Sequence, residues 1–240
     1  MYEMNIRVRY SEINKQKQVD LSQIVNYFQD CSTFHSEDVG YGIDVLEELG
    51  KVWFLCGWQV EVERYPKFGE KLTIATWPYD RNDLYAYRNF VMIDEKGNTI
   101  AKANSIWFLV DIGTEKPVRI TENDVIMYGM EEKLSMNYSQ RKIKIFGELE
   151  QREGFPILKA HIDTNGHVNN SQYIQFAQEY IPSDFVITSM RVDYKKAAKL
   201  GEQVIPYICN QNQTCTIKLC DSLQKPYVVI EFCGYYREIS

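Results

Sequence analysis

The stretch His161–Pro182, HIDTNGHVNNSQYIQFAQEYIP, sets the reading of the whole chain. Asp163, Asn165 and His167 alternate through a polar segment that contains Gly166. After Asn169 and Asn170 the pattern changes. Tyr173, Ile174, Ala177, Tyr180 and Ile181 recur at helical spacing, which predicts a helix ended by Pro182. Asn169 or Asn170 is the expected N-cap, because its side-chain oxygen can accept from an orphan N–H of the first turn. An acid, an amide and an imidazole thus precede a helix N-terminus, where backbone N–H groups and the macrodipole favour negative charge. Val168, Asn169 and Asn170 are the expected source of N–H donors for an oxyanion. The same residue types also build Asx-turns and caps with no chemistry attached.

Composition narrows the function classes. Hydrophobic residues make up 45% of the 240, enough for a full core in one large or two small domains. A net charge of −6 argues against general nucleic-acid binding and against an anionic membrane surface as partner. The start, MYEMNIRVRY, has no apolar core of a signal peptide, and no apolar run approaches the roughly 18 residues of a membrane span. Cys31, Cys56, Cys209, Cys215, Cys220 and Cys233 have neither C-x-x-C spacing nor the density of a disulfide framework. Free thiols in a reducing cytoplasm are expected, with no metal and no cofactor. Only His35, His161 and His167 offer imidazole chemistry, and the first two are expected on the surface or in loops.

The chain repeats itself. Val19–Asp30 reads as a first helix, with Ile24, Val25, Tyr27, Phe28 and Cys31 on its apolar side. A Gly-punctuated insertion follows, Val39–Gly50, with a short helical piece around Val45–Leu49. Strands are expected from Trp58 to Glu63, Leu72 to Trp77, Leu84 to Ile93 and Ile100 to Asp111, with a hairpin turn at Asp94–Asn98. A charged connection, Gly113–Gly154, leads to the opening stretch. Strands then resume at Phe185–Tyr194, Gln203–Cys209, Thr214–Leu219 and Tyr227–Tyr236.

Each half runs helix first, then antiparallel strands. Val19-Asp20-Leu21-Ser22-Gln23 aligns with Val168-Asn169-Asn170-Ser171-Gln172, and Tyr65–Glu70 aligns with Ala197–Glu202. Two such matches in one order predict a duplicated domain, with the first copy in residues 1–129 and a linker plus the second copy in 130–240. The fold class expected is α+β: two tandem hot-dog domains, each an antiparallel sheet wrapped around a long helix.

The chain resembles the acyl-[acyl carrier protein] thioesterases, the double hot-dog enzymes of bacteria and plant plastids. The likeness covers nearly its whole length. It rests on VEVERYPKFGEKLTIATWP (Val60–Pro78), NSIWFLVD (Asn104–Asp111) and D-x-N-x-H-V-N-N-x-x-Y from Asp163 to Tyr173. The resemblance implies hydrolysis of acyl-acyl carrier protein by water, with the chemistry in the second copy and the acyl pocket shaped by the first. It implies catalytic roles for Asp163, Asn165 and His167. A direct comparison pairs Glu12 with Asp163, Asn14 with Asn165 and Gln16 with His167, so the first copy lacks the imidazole.

One departure stands out. The family pattern implies a Glu after Tyr-basic-basic, but Asp193–Ala198 reads DYKKAA: Ala197 occupies that position, and Ala198 the one that is Cys in plant enzymes. Water activation then falls to His167 or Asp163, to another carboxylate such as Glu179, Asp193 or Glu202, or it is impaired. Ala197 also leaves open an acyl-binding or regulatory protein with little turnover; an acyl-CoA thioesterase is a third reading. An acidic carrier protein needs a basic landing site. Lys195, Lys196 and Lys199 are candidates near the site, and Arg141, Lys142 and Lys144 form a second cluster. Trp53, Trp58, Trp77 and Trp107 suit an acyl tunnel or a plain core. Two fused copies leave monomer and homodimer both open.

Overall fold

The structure, a computed structural model, describes residues 1–237. Its elements are β1 (Tyr2–Arg7), α1 (Leu21–Asp38), α2 (Ile43–Glu48), β2 (Lys51–Val62), β3 (Lys71–Arg81), β4 (Ala86–Asp94), β5 (Thr99–Asp111) and β6 (Lys116–Val118). After a long connection come β7 (Glu150–Gln151), β8 (Phe155–Pro156), α3 (Asn170–Gln178), β9 (Phe185–Tyr194), β10 (Gln203–Gln211), β11 (Thr214–Cys220) and β12 (Pro226–Tyr236). Two compact units result. One comprises Met1–Cys56 with Val62–Tyr138, the other Gly57–Glu61 with Ser139–Ser240.

In the first unit β1, β3, β4 and β5 lie in that order, each antiparallel to the next. Leu21, Ile24, Val25, Phe28, Cys31, Ser32 and His35 follow helical spacing and make up the buried side of α1. Phe28 meets Phe90 of β4 with ring centroids 5.2 Å apart, so the even-numbered residues of β4 face the helix. The expected helix stopped at Asp30. The real one continues two further turns, because Cys31, Ser32 and His35 keep the same spacing although the stripe becomes polar. His35 is therefore not a surface or loop residue. It is 5% exposed, stacked on Tyr2 and bonded through Nδ1 to Arg88 at 3.0 Å. β1 escaped the sequence reading: its exposure alternates along an edge strand that carries few apolar residues.

In the second unit the order is β9, β12, β11, β10, β7, with β8 also on β10 and Gly57–Glu61 on the free side of β9. Here the helix is short. α3 spans nine residues, buries Ser171, Tyr173, Ile174 and Ala177, and is capped at Asn169, whose side chain accepts from Ser171 N at 2.9 Å. The predicted continuation to Ile181 is a series of turns instead, Tyr180 N to Ala177 O and Ile181 N to Gln178 O. Each unit is a hot-dog, with only the first wrapped on a long helix. Trp58 and Trp77 belong to the buried core, while Trp53 and Trp107 are half-buried.

Candidate functional site

The site is a closed turn that runs into α3. Ile162 and Val168 form an antiparallel bridge, and Asp163 N donates to His167 O at 2.8 Å. Gly166 N returns to Asp163 O at 3.1 Å, with Gly166 at φ +73°, the left-handed conformation that glycine adopts without strain. Asp163 Oδ1 accepts from Asn165 N at 2.9 Å and from His167 N at 3.3 Å. One carboxylate oxygen thus organises the turn, and the second is left out of those bonds. Asp163 and His167 are half-buried and Asn165 is exposed. The structure brings the acid and the imidazole to the two ends of one turn, immediately before the N-terminus of α3.

The first unit holds the same turn, bond for bond. Ile13 bridges Val19, Asn14 N donates to Gln18 O at 2.9 Å and Lys17 N to Asn14 O at 2.9 Å. Asn14 Oδ1 accepts from Gln16 N at 2.9 Å and Gln18 N at 3.2 Å. Lys17 takes the left-handed place of Gly166, at φ +60°. The residue pairs are therefore Asn14 with Asp163, Gln16 with Asn165 and Gln18 with His167. The pairing of Glu12 with Asp163 was two residues out of register. Glu12 corresponds to His161: Arg9 N donates to Glu12 Oε2 at 2.7 Å as Leu158 N donates to His161 Nδ1 at 3.1 Å. His161 is thus a local cap, and it packs edge-on against Phe176. The corrected register removes both the acid and the imidazole from the first copy.

The expected helper residues separate sharply. Val168 N donates to Ala198 O and Asn169 N to His161 O, both at 3.0 Å, so neither N–H serves an oxyanion. These donors hold the entry to the helix, which sequence could not reveal because their acceptors are far along the chain or in a preceding turn. Among the described residues, Asn170 N, at the first position of α3, makes no such bond. Glu179 sits exposed at the C-cap, the far end of the helix from the turn. Asp193 points to the wrong face. Tyr194 OH reaches Asn170 O at 2.9 Å, so its neighbour Asp193 must face away from α3. There Asp193, 1% exposed, binds Arg141 at 3.0 Å and Lys195 at 2.5 Å. Gly57 makes room for this pair: a Cβ there would stand 3.0 Å from Arg141 Cγ.

Glu202 is a turn carboxylate. It accepts from Lys199 N at 3.0 Å and from Tyr227 OH at 3.0 Å. Glu70, its counterpart, accepts from Lys67 N at 3.0 Å in the copy without the acid and imidazole. Ala197, at the position where the family pattern implies a Glu, is half-buried. Lys196 binds Asp221 at 3.2 Å, so of the three nearby lysines only Lys199 is exposed without an ion pair among the described residues; Lys142 and Lys144 are exposed too. Among the described residues no group of three or more His, Cys, Asp or Glu is arranged to hold a metal ion, and no helix is long and apolar enough to cross a membrane.

Sequence reading missed Tyr173. Its hydroxyl, 2% exposed at the residue level, accepts from Ala198 N at 2.8 Å and ties α3 to the loop after β9. The motif spacing contained the tyrosine, but nothing in it named the partner.

A hot-dog unit with an acid–imidazole turn ahead of its helix, beside a copy stripped of both, defines a double hot-dog protein with one candidate site. The chain belongs to the acyl-ACP thioesterase family: residues 1–128 match the family's N-terminal domain and residues 147–228 its C-terminal domain. It is 23% identical over 224 residues to oleoyl-acyl carrier protein thioesterase 1, chloroplastic, of Arabidopsis thaliana, covering 85% of this chain and 62% of that one. It is 22% identical to the acyl-[acyl-carrier-protein] hydrolase FATB2, chloroplastic, of Cuphea viscosissima, with 82% and 52% covered. The chain thus spans between half and two thirds of the length of these relatives. Among solved structures, an acyl-ACP thioesterase from Bacteroides thetaiotaomicron superposes with a TM-score of 0.88 at 21% identity, over 97% of this chain and 96% of that one. The 12:0-ACP thioesterase from Umbellularia californica gives 0.85 at 17% identity, over 98% and 97%.

Proposed function

We propose that the protein hydrolyses acyl-acyl carrier protein to a free fatty acid and the carrier thiol. The carrying observation is the closed turn Asp163–His167, which has kept its acid and imidazole while the copy of the same turn at Asn14–Gln18 has neither. His167 takes a proton from water as the water oxygen attacks the thioester carbonyl carbon. The oxyanion is met by Asn170 N at the start of α3 and by the Asn165 amide. The C–S bond then breaks, the sulfur receives the proton, and the acid departs. The free carboxylate oxygen of Asp163 orients the water. The names of the relatives support the carrier-linked substrate, and exposed Lys199, Lys142 and Lys144 suit an acidic carrier surface. The free thiols of Cys31, Cys209, Cys215, Cys220 and Cys233 support a reducing, cytoplasmic location.

Ala197 favours a second reading, an acyl-binding protein with little turnover. Thiol release from acyl-acyl carrier protein and acyl-CoA of several chain lengths decides between them. The hydrolase reading expects release by the wild type and a large loss in His167→Ala. No release from any thioester would sink it, and faster release from acyl-CoA than from the carrier would reassign the substrate.

A further inference from the structure

The backbone of Ala198 is held on both sides of its Cα. Its carbonyl accepts from Val168 N at 3.0 Å, and its N–H donates to Tyr173 OH at 2.8 Å, both inside the core. The first unit keeps only one of these bonds. Val19 N donates to Pro66 O at 2.9 Å, the same bond in the same place. The other bond is lost at both partners: Pro66 has no N–H to give, and Ile24 stands where Tyr173 stands, with no hydroxyl to receive. Losing one partner alone would leave a buried polar group unpaired, whereas losing both is close to neutral. The hot-dog therefore closes without this bond, and the copy that retains it is the copy with Asp163 and His167.

We propose that Tyr173 is a positioning residue for the reaction: its hydroxyl clamps Ala198 N and thereby fixes the first turn of α3 and the Lys195–Lys199 loop against each other. Tyr173 lies one turn into α3 from Asn170, so the clamp sets the rotation of the helix end that presents Asn170 N. A second phenol works in the same direction, Tyr194 OH on Asn170 O at 2.9 Å. Its counterpart in the first unit, by the alignment of Tyr65 with Ala197, is Val62, also without a hydroxyl. Burial holds the Tyr173 phenol above its ordinary pKa, so it accepts the N–H while remaining protonated. Displacement of a catalytic group by about 1 Å costs on the order of 100-fold in rate, which is the scale at which a clamp matters.

The proposal rests on the hydrolase reading, and the test separates the two. Three full-length variants are compared with wild type for thiol release and thermal unfolding: Tyr173→Phe, Ala198→Pro, and both together. Tyr173→Phe orphans a buried N–H and is expected to lower Tm by about 3 °C and kcat by roughly 10- to 100-fold, with KM little changed. Ala198→Pro orphans the hydroxyl and loses kcat similarly. The double variant copies the first unit. It removes both halves of the bond, so Tm recovers toward wild type while kcat stays as low as in either single variant. Recovery of kcat along with Tm, or a Tyr173→Phe kcat within twofold of wild type, overturns the positioning role. A wild type that releases no thiol fails the hydrolase reading, and the positioning role falls with it; an active wild type with an active double variant fails only the clamp.

Discussion

The two turns of this molecule, Asn14–Gln18 and Asp163–His167, share their backbone hydrogen bonds and differ in what their side chains can do. Asn14 and Asp163 each accept two turn N–H groups through one side-chain oxygen, at 2.9 and 3.2 Å in the first copy and 2.9 and 3.3 Å in the second. An amide therefore satisfies the architecture as well as a carboxylate does. What the architecture does not require is charge at Asp163 and an imidazole at His167. Comparing a chain with its own copy separates scaffold from chemistry without any other sequence.

The largest effect should come from making the second turn like the first. Asp163→Asn keeps the turn's acceptor, so Tm is expected within a few degrees of wild type, while kcat/KM falls by roughly 100-fold or more. Thiol-release kinetics beside a thermal melt check both halves. An unchanged rate would return Asp163 to a purely structural role, as Asn14 has. The matching turn in the first unit supplies the control: Asn14→Asp should leave the rate unaltered.

Next in size is Asp193, which the geometry places on the sheet face away from α3. Asp193→Asn weakens two charge-assisted contacts and is expected to lower stability by about 2 kcal/mol, measured by denaturant titration, with kcat intact. Loss of activity at full stability would restore Asp193 to the site. Ala197→Glu tests the missing carboxylate: an increase in kcat of about tenfold, some 1.4 kcal/mol of barrier, is expected if water activation by His167 alone is limiting. A neutral result would mean that the turn of the second unit already suffices.

The last effect, confined to acid pH, distinguishes the two helices. The two extra turns of α1 bury His35 against Arg88, whose guanidinium also approaches Thr76 Oγ1 at 3.3 Å and lies over the Tyr128 ring. Burial, and then the neighbouring Arg88 charge, push His35 down to about 4; burial also draws Arg88 down to about 10. Between the ordinary histidine value of about 6.5 and that of the folded state, the unfolded chain binds more protons than the folded one. His35 thus contributes stability that is present at neutral pH and is lost as pH falls from about 6.5 toward 4, by up to about 1.4 kcal/mol per pH unit. Asp38, the Arg88 guanidinium and the N-terminal amine are the charges that bear on it. In His35→Gln the acid limb of a stability–pH curve should flatten. An identical slope would place the acid sensitivity elsewhere.

Most of the strands could be located along the chain. Phe185–Tyr194 was located to the residue, because alternation and flanking turns are local properties of the sequence. Helix ends were less legible. Polar Ser32 and His35 masked the continuation of α1, since a stripe that buries polar groups against a partner such as Arg88 is visible only once that partner is placed. The register of the two turns was misjudged by two residues for a similar reason: residue identities suggested Glu12 with Asp163, while backbone hydrogen bonds align Asn14 with it.

By itself the sequence determined the class, α+β with a duplicated helix-then-strands unit, and the location of the acid and imidazole, because those depend on residue types at short spacing. Only the tertiary structure decided which helpers can act. Val168 and Asn169 donate to Ala198 and His161, Glu202 closes a turn, and Asp193 faces away from α3. Each of these facts depends on which segment a given N–H or carboxylate meets after folding, and the parity of a strand or the partner of a donor is fixed by packing between distant parts of the chain.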